Sequence, residues 1–327
     1  MRFFFVMALI CALIAAGASY LWLHQPIELS AATVDVSVEP GMSAREVAGA
    51  VAQAGASVNP LLLHGWFRLS GQSRQIRAGS YELDRTATPM SLLQKLVRGE
   101  EALRSVTLVE GWTFRQVRDA LKKAEQLKPD SQASSPSEIM VLLGKPGVPA
   151  EGRFFPDTYT YSKGSSDLAV LKRAMLAMDK RLSAAWEQRD PKSALTTPEQ
   201  ALILASIVEK ETGAPADRPT ISAVFNNRLA VGMRLQTDPT VIYGLGEAFD
   251  GNLRKNDLLA DTPWNTYTRA GLPPTPIAMP GKASLLAAVQ PASSKALYFV
   301  AKGDGSSHFS TTLDEHNRAV NKYQRGQ

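Results

Sequence analysis

Residues 3–23 are almost continuously apolar and uncharged, and beyond them the chain breaks into short amphipathic segments punctuated by Gly and Pro. Val34, Val36 and Val38 alternate with polar residues as a half-buried strand does, and Pro40-Gly41 turns the chain. Ser43 with Glu46 forms a capping box for a helix reaching about residue 54. Asn59-Pro60 opens a helix through residue 69 that carries Leu61, Leu62, Trp66 and Leu69. A strand over 78–83 and a helix over 88–97, stopped by Gly99, complete a strand–helix–helix–strand run. Val106 and Leu108, followed by a second capping box at Thr113 and Gln116, repeat the strand–turn–helix device of residues 34–47. Residues 128–150 are rich in Ser, Pro and Gly and read as a surface excursion around one short apolar piece, 139–143. Leu168, Leu171, Met175, Met178, Leu182 and Ala185 then recur at helical spacing over 167–186, a core stripe. Helices follow over 198–212 and 282–289. Residues 297–300 and 308–310 form a hairpin around Gly303-Asp304-Gly305, and Thr312 caps a last helix.

The helix over 198–212 carries the most informative pattern. Thr197 caps it, Pro198 suits its first turn, and Gly213 stops it before Pro215. Glu211 follows Val208, Ile207 and Leu204 by helical steps and falls on their apolar face. Glu209 shares a face with Leu202, Ala205 and Ser206, nearer the edge. A carboxyl held against apolar neighbours has its charged form disfavoured and its pKa raised, as a general acid near neutral pH requires. The plain alternative is a charged helix end whose glutamates are solvated or ion-paired. Residues 224–229 and 232–244 follow, dense in amides, hydroxyls and carboxylates, and read as the floor of a polar cleft that packing alone does not call for. Other chemistries find no support. The four histidines, His24, His64, His308 and His316, are scattered without a His-Glu-x-x-His pattern. There is no Gly-x-Ser-x-Gly or Ser-x-x-Lys nucleophile and no phosphate-binding glycine loop. Carboxylate chemistry remains.

Composition changes this picture mainly at the N-terminus. The 327 residues suffice for two modest domains, and 44% hydrophobic with 20% charged residues is ordinary for a globular chain. A net charge of +5 mildly favours anionic partners, and no Lys/Arg run argues for nucleic acid. The apolar run over 3–23 is long enough to span a bilayer, and Arg2 before it favours a cytoplasmic N-terminus. A cleaved signal peptide is the rival, with Ala16-Gly17-Ala18 as the cleavage site; continued apolarity through Tyr20, Leu21, Trp22 and Leu23 favours retention. The single cysteine, Cys11, lies inside this span, so the part beyond it has no disulfide, thiol nucleophile or cysteine metal ligand.

Several motifs occur together: Val208-Glu209-Lys210-Glu211-Thr212, the run from Arg234-Leu235-Gln236-Thr237-Asp238-Pro239 to Thr240-Val241-Ile242-Tyr243-Gly244, Asn265-Thr266-Tyr267, Gly271-Leu272-Pro273-Pro274 and Phe155-Pro156-Asp157-Thr158-Tyr159. As a set they resemble the MltG/YceG family of endolytic murein transglycosylases, over essentially the whole chain. The resemblance implies an α+β fold: a transmembrane anchor over 1–24, a LysM-like βααβ module over 25–100, and a mixed α/β catalytic domain over 101–327 with the acid at the end of a helix. It implies that one carboxyl, Glu211, protonates the oxygen leaving from the MurNAc–GlcNAc bond. The same carboxyl then takes the proton of the MurNAc C6 hydroxyl, giving a 1,6-anhydro end without consuming water. Glu209 is the competing acid. Gln236, Thr237 and Asp238 would orient sugar hydroxyls or N-acetyl groups; Asp238 is alternatively a second carboxylate or a turn residue. Asn265 and Tyr267 are glycan contacts or members of a buried turn. No metal or organic cofactor is implied. The implied partners are peptidoglycan glycan strands, the membrane and peptidoglycan synthases, and the implied location is the bacterial inner membrane, single-pass, with the catalytic domain in the periplasm. The LysM-like segment either binds glycan or acts as a spacer. Two rivals stay open: a muramidase using Glu211, Asp238 and water, and a non-catalytic wall-binding scaffold.

Overall fold

The structure is a computed structural model that describes residues 2–326. It divides into two compact units, one made of the residues up to Arg104 with Thr160–Gly164, the other of Ser105–Tyr159 with the residues from Ser165 on. In the first unit, α1 (Arg2–His24) includes a stretch long and apolar enough to cross a membrane. Trp22 near its end packs against the unit's core. Strand β1 (Thr33–Val38), helices α2 (Ala44–Gln53) and α3 (Pro60–Leu69), strand β2 (Gly79–Asp84) and helix α4 (Pro89–Arg98) follow. The two strands pair antiparallel with Val36 opposite Tyr81 and Val34 opposite Leu83, so the alternating valines share one face. That face closes over Val47, Val51, Leu63, Phe67 and Leu96, all without exposed surface. On α3 the buried residues are Leu63 and Phe67, whereas Leu61, Leu62 and Leu69 are exposed. Tyr81 buries its ring and donates its hydroxyl to the Arg77 carbonyl at 2.8 Å. Capping boxes at Ser43 and Thr88 start α2 and α4.

The chain passes between the units in β3 (Leu103–Thr107) and β4 (Thr158–Ser162). The second unit holds α5 (Phe114–Lys123), α6 (Pro136–Leu142), α7 (Asp167–Glu187), α8 (Pro198–Glu211), α9 (Arg218–Ala230), α10 (Asp238–Leu245), α11 (Lys255–Leu259) and α12 (Lys282–Val289). The antiparallel hairpin β5 (Tyr298–Ala301) and β6 (Ser307–Ser310) and the helix α13 (Leu313–Gln324) complete it. Helix α8 is the axis of this unit: α7, α9, α10 and α12 all pack against it, and every residue from 201 to 208 is buried. A helix apolar on all sides belongs at the centre of a core, and Leu204, Ile207, Phe225, Leu285 and Val289 form that core.

Two expectations are corrected here. Residues 128–150 are not only a surface excursion, because a capping box at Ser135 and Glu138 nucleates α6, which buries Ile139 and Met140. Residues 224–229 are not a cleft floor; they belong to α9, and packing does account for their polar groups. Asn226 donates to the Ser222 and Ala288 carbonyls, Asn227 to those of Ser294 and Ala296, and Arg228 to those of Leu297 and Leu235. These side chains pair backbone carbonyls where α9 meets α12 and the segment leading into the hairpin.

Candidate active site

Glu211 is the last residue of α8. The Thr197 hydroxyl accepts from the Gln200 N–H at the start of that helix, and extended Thr212 ends it, with its hydroxyl on the Val208 carbonyl at 2.7 Å. This holds the Glu211 side chain at the rim of the core. Its Oε1 accepts a hydrogen bond from the Thr237 hydroxyl. Burial pushes its pKa up, the nearby Asp238 charge adds to that, and the Thr237 hydrogen bond and the Arg228 guanidinium oppose it. The result is a carboxyl biased toward its protonated form, with Oε1 occupied by a donor.

Thr237 is itself held on all sides. Its N–H donates to Thr266 Oγ1 at 3.1 Å, and its carbonyl accepts from the Thr240 hydroxyl at 2.7 Å. Thr240 and Thr266 meet hydroxyl to hydroxyl at 2.9 Å. All three threonines are at most 2% exposed, so their hydroxyls bond within the ring and to the acid. Thr237 is thus buried, with its hydroxyl on the acid. Asn265 sits in a buried, hydrogen-bonded turn, one of the two settings expected for it. It has no exposed surface, its amide donates to the carbonyls of Leu258 (3.0 Å) and Ala260 (2.7 Å), and its Oδ1 accepts the Tyr267 N–H at 2.8 Å.

Asp238 and Tyr267 do face the open side. Asp238 begins α10, is exposed, and accepts the Tyr267 hydroxyl at 2.6 Å; burial, followed by that carboxylate, drives the Tyr267 pKa upward, so the phenol stays a donor. Gln236 is exposed and sits at φ +49°, a left-handed conformation uncommon for a residue with a side chain. Its N–H donates to the Thr266 carbonyl at 3.2 Å, tying the strained turn to the threonine ring. Glu211, Thr237, Asp238 and Tyr267 thus converge, Gln236 adjoins them, and Asn265 supports them from beneath. Glu209 points elsewhere: its Oε2 accepts the Gly281 N–H at 2.9 Å, at the start of α12.

A further carboxyl was missed by sequence reasoning. Glu151 is 9% exposed and accepts from the Phe114 N–H (2.9 Å) and the Tyr243 hydroxyl (3.1 Å). Burial pushes its pKa up to about 7 against the opposing pull of those donors. The only local signal was an acidic residue beside Gly152 and the apolar pair Phe154-Phe155. Among the described residues, no group of three or more His, Cys, Asp or Glu side chains is arranged to hold a metal ion.

Fold and site together define an α+β protein whose central buried helix ends in one desolvated carboxyl, held by a buried hydroxyl and flanked by the exposed Gln236 and Asp238. The family model described as the YceG-like family matches residues 36–322, and the chain belongs to that family. The chain is 31% identical, over 94% of its length and 90% of the relative's, to a Bacillus subtilis protein named endolytic murein transglycosylase. A Streptococcus pneumoniae protein of the same name is 26% identical over 88% of this chain, which spans 58% of that longer relative. A crystal structure of a yceG-like protein from Listeria monocytogenes superposes with a TM-score of 0.57 at 30% identity, covering 88% of this chain and 98% of that one.

Proposed function

We infer that the protein is an endolytic lytic transglycosylase of murein and that Glu211 is its single general acid/base. The observation that carries this reading is the Glu211 carboxyl itself, raised in pKa by burial and tethered at Oε1 by Thr237. With Oε1 taken by a donor, the proton resides on Oε2, which is left for the substrate. Oε2 gives that proton to the glycosidic oxygen as the C1–O bond of MurNAc breaks. The C6 hydroxyl of the same sugar attacks C1, and its proton returns to the carboxylate. One bond is broken, one is formed, the enzyme ends in its starting state, and no water is consumed. The attacking hydroxyl is intramolecular, which gives it a high effective concentration. Asp238, fixed by Tyr267, supplies negative charge near the sugar as positive charge develops at C1. Gln236 is the exposed polar group that reaches hydroxyl or N-acetyl groups, and Tyr267 contacts glycan through its ring.

The remaining assignments belong to the same reading. Residues 1–24 anchor the protein in the inner membrane with the rest in the periplasm, 25–100 form a LysM-like module, and 101–327 form the catalytic domain. The βααβ order of the first unit supports the LysM-like assignment, and the apolar length of α1 supports the anchor. Cutting nascent strands within their length puts the enzyme beside peptidoglycan synthases.

A second reading, hydrolysis by Glu211 and Asp238 as in a muramidase, is favoured by one feature: the exposed Asp238 carboxylate lies close enough to raise the Glu211 pKa. Mass spectrometry of purified sacculi digested by the full-length protein separates the two readings. Wild type and Glu209→Gln should release anhydro-muropeptides, and Glu211→Gln should release none. Reducing ends from wild type would mean hydrolysis. Product from Glu211→Gln would remove Glu211 from the mechanism. A wild type that binds sacculi but cuts nothing would make the protein a scaffold.

A further inference from the structure

Two adjoining clefts of about 730 and 710 Å³ share Arg115, Glu151, Tyr243 and Trp264 in their walls and so form one trough. Its near end is bounded by Lys210, immediately before the acid, and by Pro239 and Ile242 of α10. That helix starts at Asp238, beside the acid, and Tyr243 lies five residues on, about 7–8 Å along its axis. The trough thus runs from Lys210 and Pro239, the chain neighbours of Glu211 and Asp238, toward Arg118 and Val148, and Glu211 and Asp238 themselves are not in its walls.

Its floor and rim differ in chemistry. On the floor, the rings of Tyr243 and Trp264 meet edge to face at 5.4 Å, and the indole N–H is spent on Thr275 Oγ1 at 3.0 Å, so both rings offer apolar surface. The rim is cationic, with exposed Arg115 and Lys210 and, further along, Arg118. Two acids oppose that charge. Glu151 has its pKa pushed up to about 7 by burial, so only part of its charge is present near neutrality. Glu247 pairs with Arg115 at 2.8 Å, but both side chains are more than half exposed, so a ligand carboxylate displaces that pair at little cost.

The sugar backbone of murein is uncharged, and its charges sit on the stem peptides, which carry free carboxylates next to short alkyl side chains. The geometry points to this trough as the seat of an anionic stem peptide borne by the sugar beside Glu211, with Arg115 and Lys210 on its carboxylates and Tyr243 and Trp264 under its alkyl groups. The inference rests on the transglycosylase reading and adds what that reading leaves open, namely which part of the polymer besides the scissile bond is recognised.

The test compares glycan strands bearing stem peptides with the same strands stripped of peptide by an amidase and with their newly freed lactyl carboxylates converted to neutral amides, cut by the full-length protein in detergent micelles and followed by anhydro-end formation. Wild type should show a KM roughly three- to tenfold lower for the peptide-bearing strands, with the preference shrinking as salt is raised. Arg115→Ala should bring the ratio of the two KM values toward one, and Arg115→Lys, which keeps the charge, should restore most of it. Equal KM values in wild type, or a ratio that survives Arg115→Ala, would overturn the assignment of the trough. Absence of anhydro ends from both substrates would overturn the transglycosylase reading itself, and the trough would fall with it.

Discussion

Replacing Glu151 by Gln should stabilise the protein at alkaline pH and do little at acid pH. The carboxyl is 9% exposed and its pKa is raised from 4.5 to about 7. Between those values the folded state binds more protons than the unfolded state, so stability falls as pH rises across that window. The full shift corresponds to about 3.4 kcal/mol, and about 2.5 kcal/mol of it develops between pH 5 and pH 8. Gln has the same shape and no charge. Its carbonyl oxygen can accept the Phe114 N–H, and its amide can donate to the Tyr243 hydroxyl, which turns to accept. The stability difference between variant and wild type should therefore widen by about 2–3 kcal/mol from pH 5 to pH 8 in favour of the variant. Urea denaturation of both full-length chains in micelles, followed by tryptophan fluorescence, measures this directly, since Trp264 lies in the same trough wall. Other groups titrate in this range, but they do so in both chains and cancel in the difference. A gap that stays constant with pH would mean that the Glu151 carboxyl bears no desolvation cost, and the argument for its near-neutral pKa would be lost.

Thr237→Val removes the donor that tethers Glu211 and lowers its pKa, so kcat should fall about ten- to a hundredfold. The limb of the pH–rate profile on which activity falls with rising pH should move to higher pH, and Thr237→Ser should reverse both effects. Gly152→Ala should cost more than about 2 kcal/mol, because φ is +78° there and a methyl group would come within 2.5 Å of Pro276 Cβ; a thermal melt checks it. Gln236→Gly should match or exceed wild-type stability, whereas the β-branched Gln236→Val should lose about 1–2 kcal/mol at the same left-handed position. Glu209→Gln keeps an acceptor for the Gly281 N–H and should lose less than about 1 kcal/mol while retaining cleavage.

The parts of the fold that were legible in the sequence are those whose instructions are local. Ser43 with Glu46, Thr113 with Gln116, and Thr312 with Glu315 each satisfy the free N–H groups of a helix start within four residues, and each begins a helix in the structure. The same signature at Ser135 and Glu138 went unread because Gly, Pro and Ser around it outweighed one short turn of apolar residues. Helix α9 shows the opposite limit. Asn226, Asn227 and Arg228 look like cleft chemistry in sequence, because their partners, the carbonyls of Ala288, Ser294, Ala296 and Leu297, lie some sixty to seventy residues on. A helix face can be read from spacing, but the seam that its polar residues close cannot.

The same division runs through the site. Spacing along α8 singled out Glu211 by its apolar face, yet α8 is buried all round from 201 to 208, so the face alone does not separate Glu211 from Glu209. What separates them is what each carboxylate meets. Glu209 meets a backbone N–H at the start of α12. Glu211 meets a single hydroxyl in a desolvated setting with a second carboxylate nearby, which favours the protonated form. That hydroxyl is aimed by Thr240 and Thr266, and the second carboxylate is fixed by Tyr267, all of them 26 to 56 positions beyond the acid. A residue's candidacy as an acid is thus written in its own helix, whereas its protonation state is written in the residues that fold back onto it. Glu151 makes the point from the other side: nothing in its own segment marks it, and Phe114 and Tyr243, 37 and 92 positions away, define its environment.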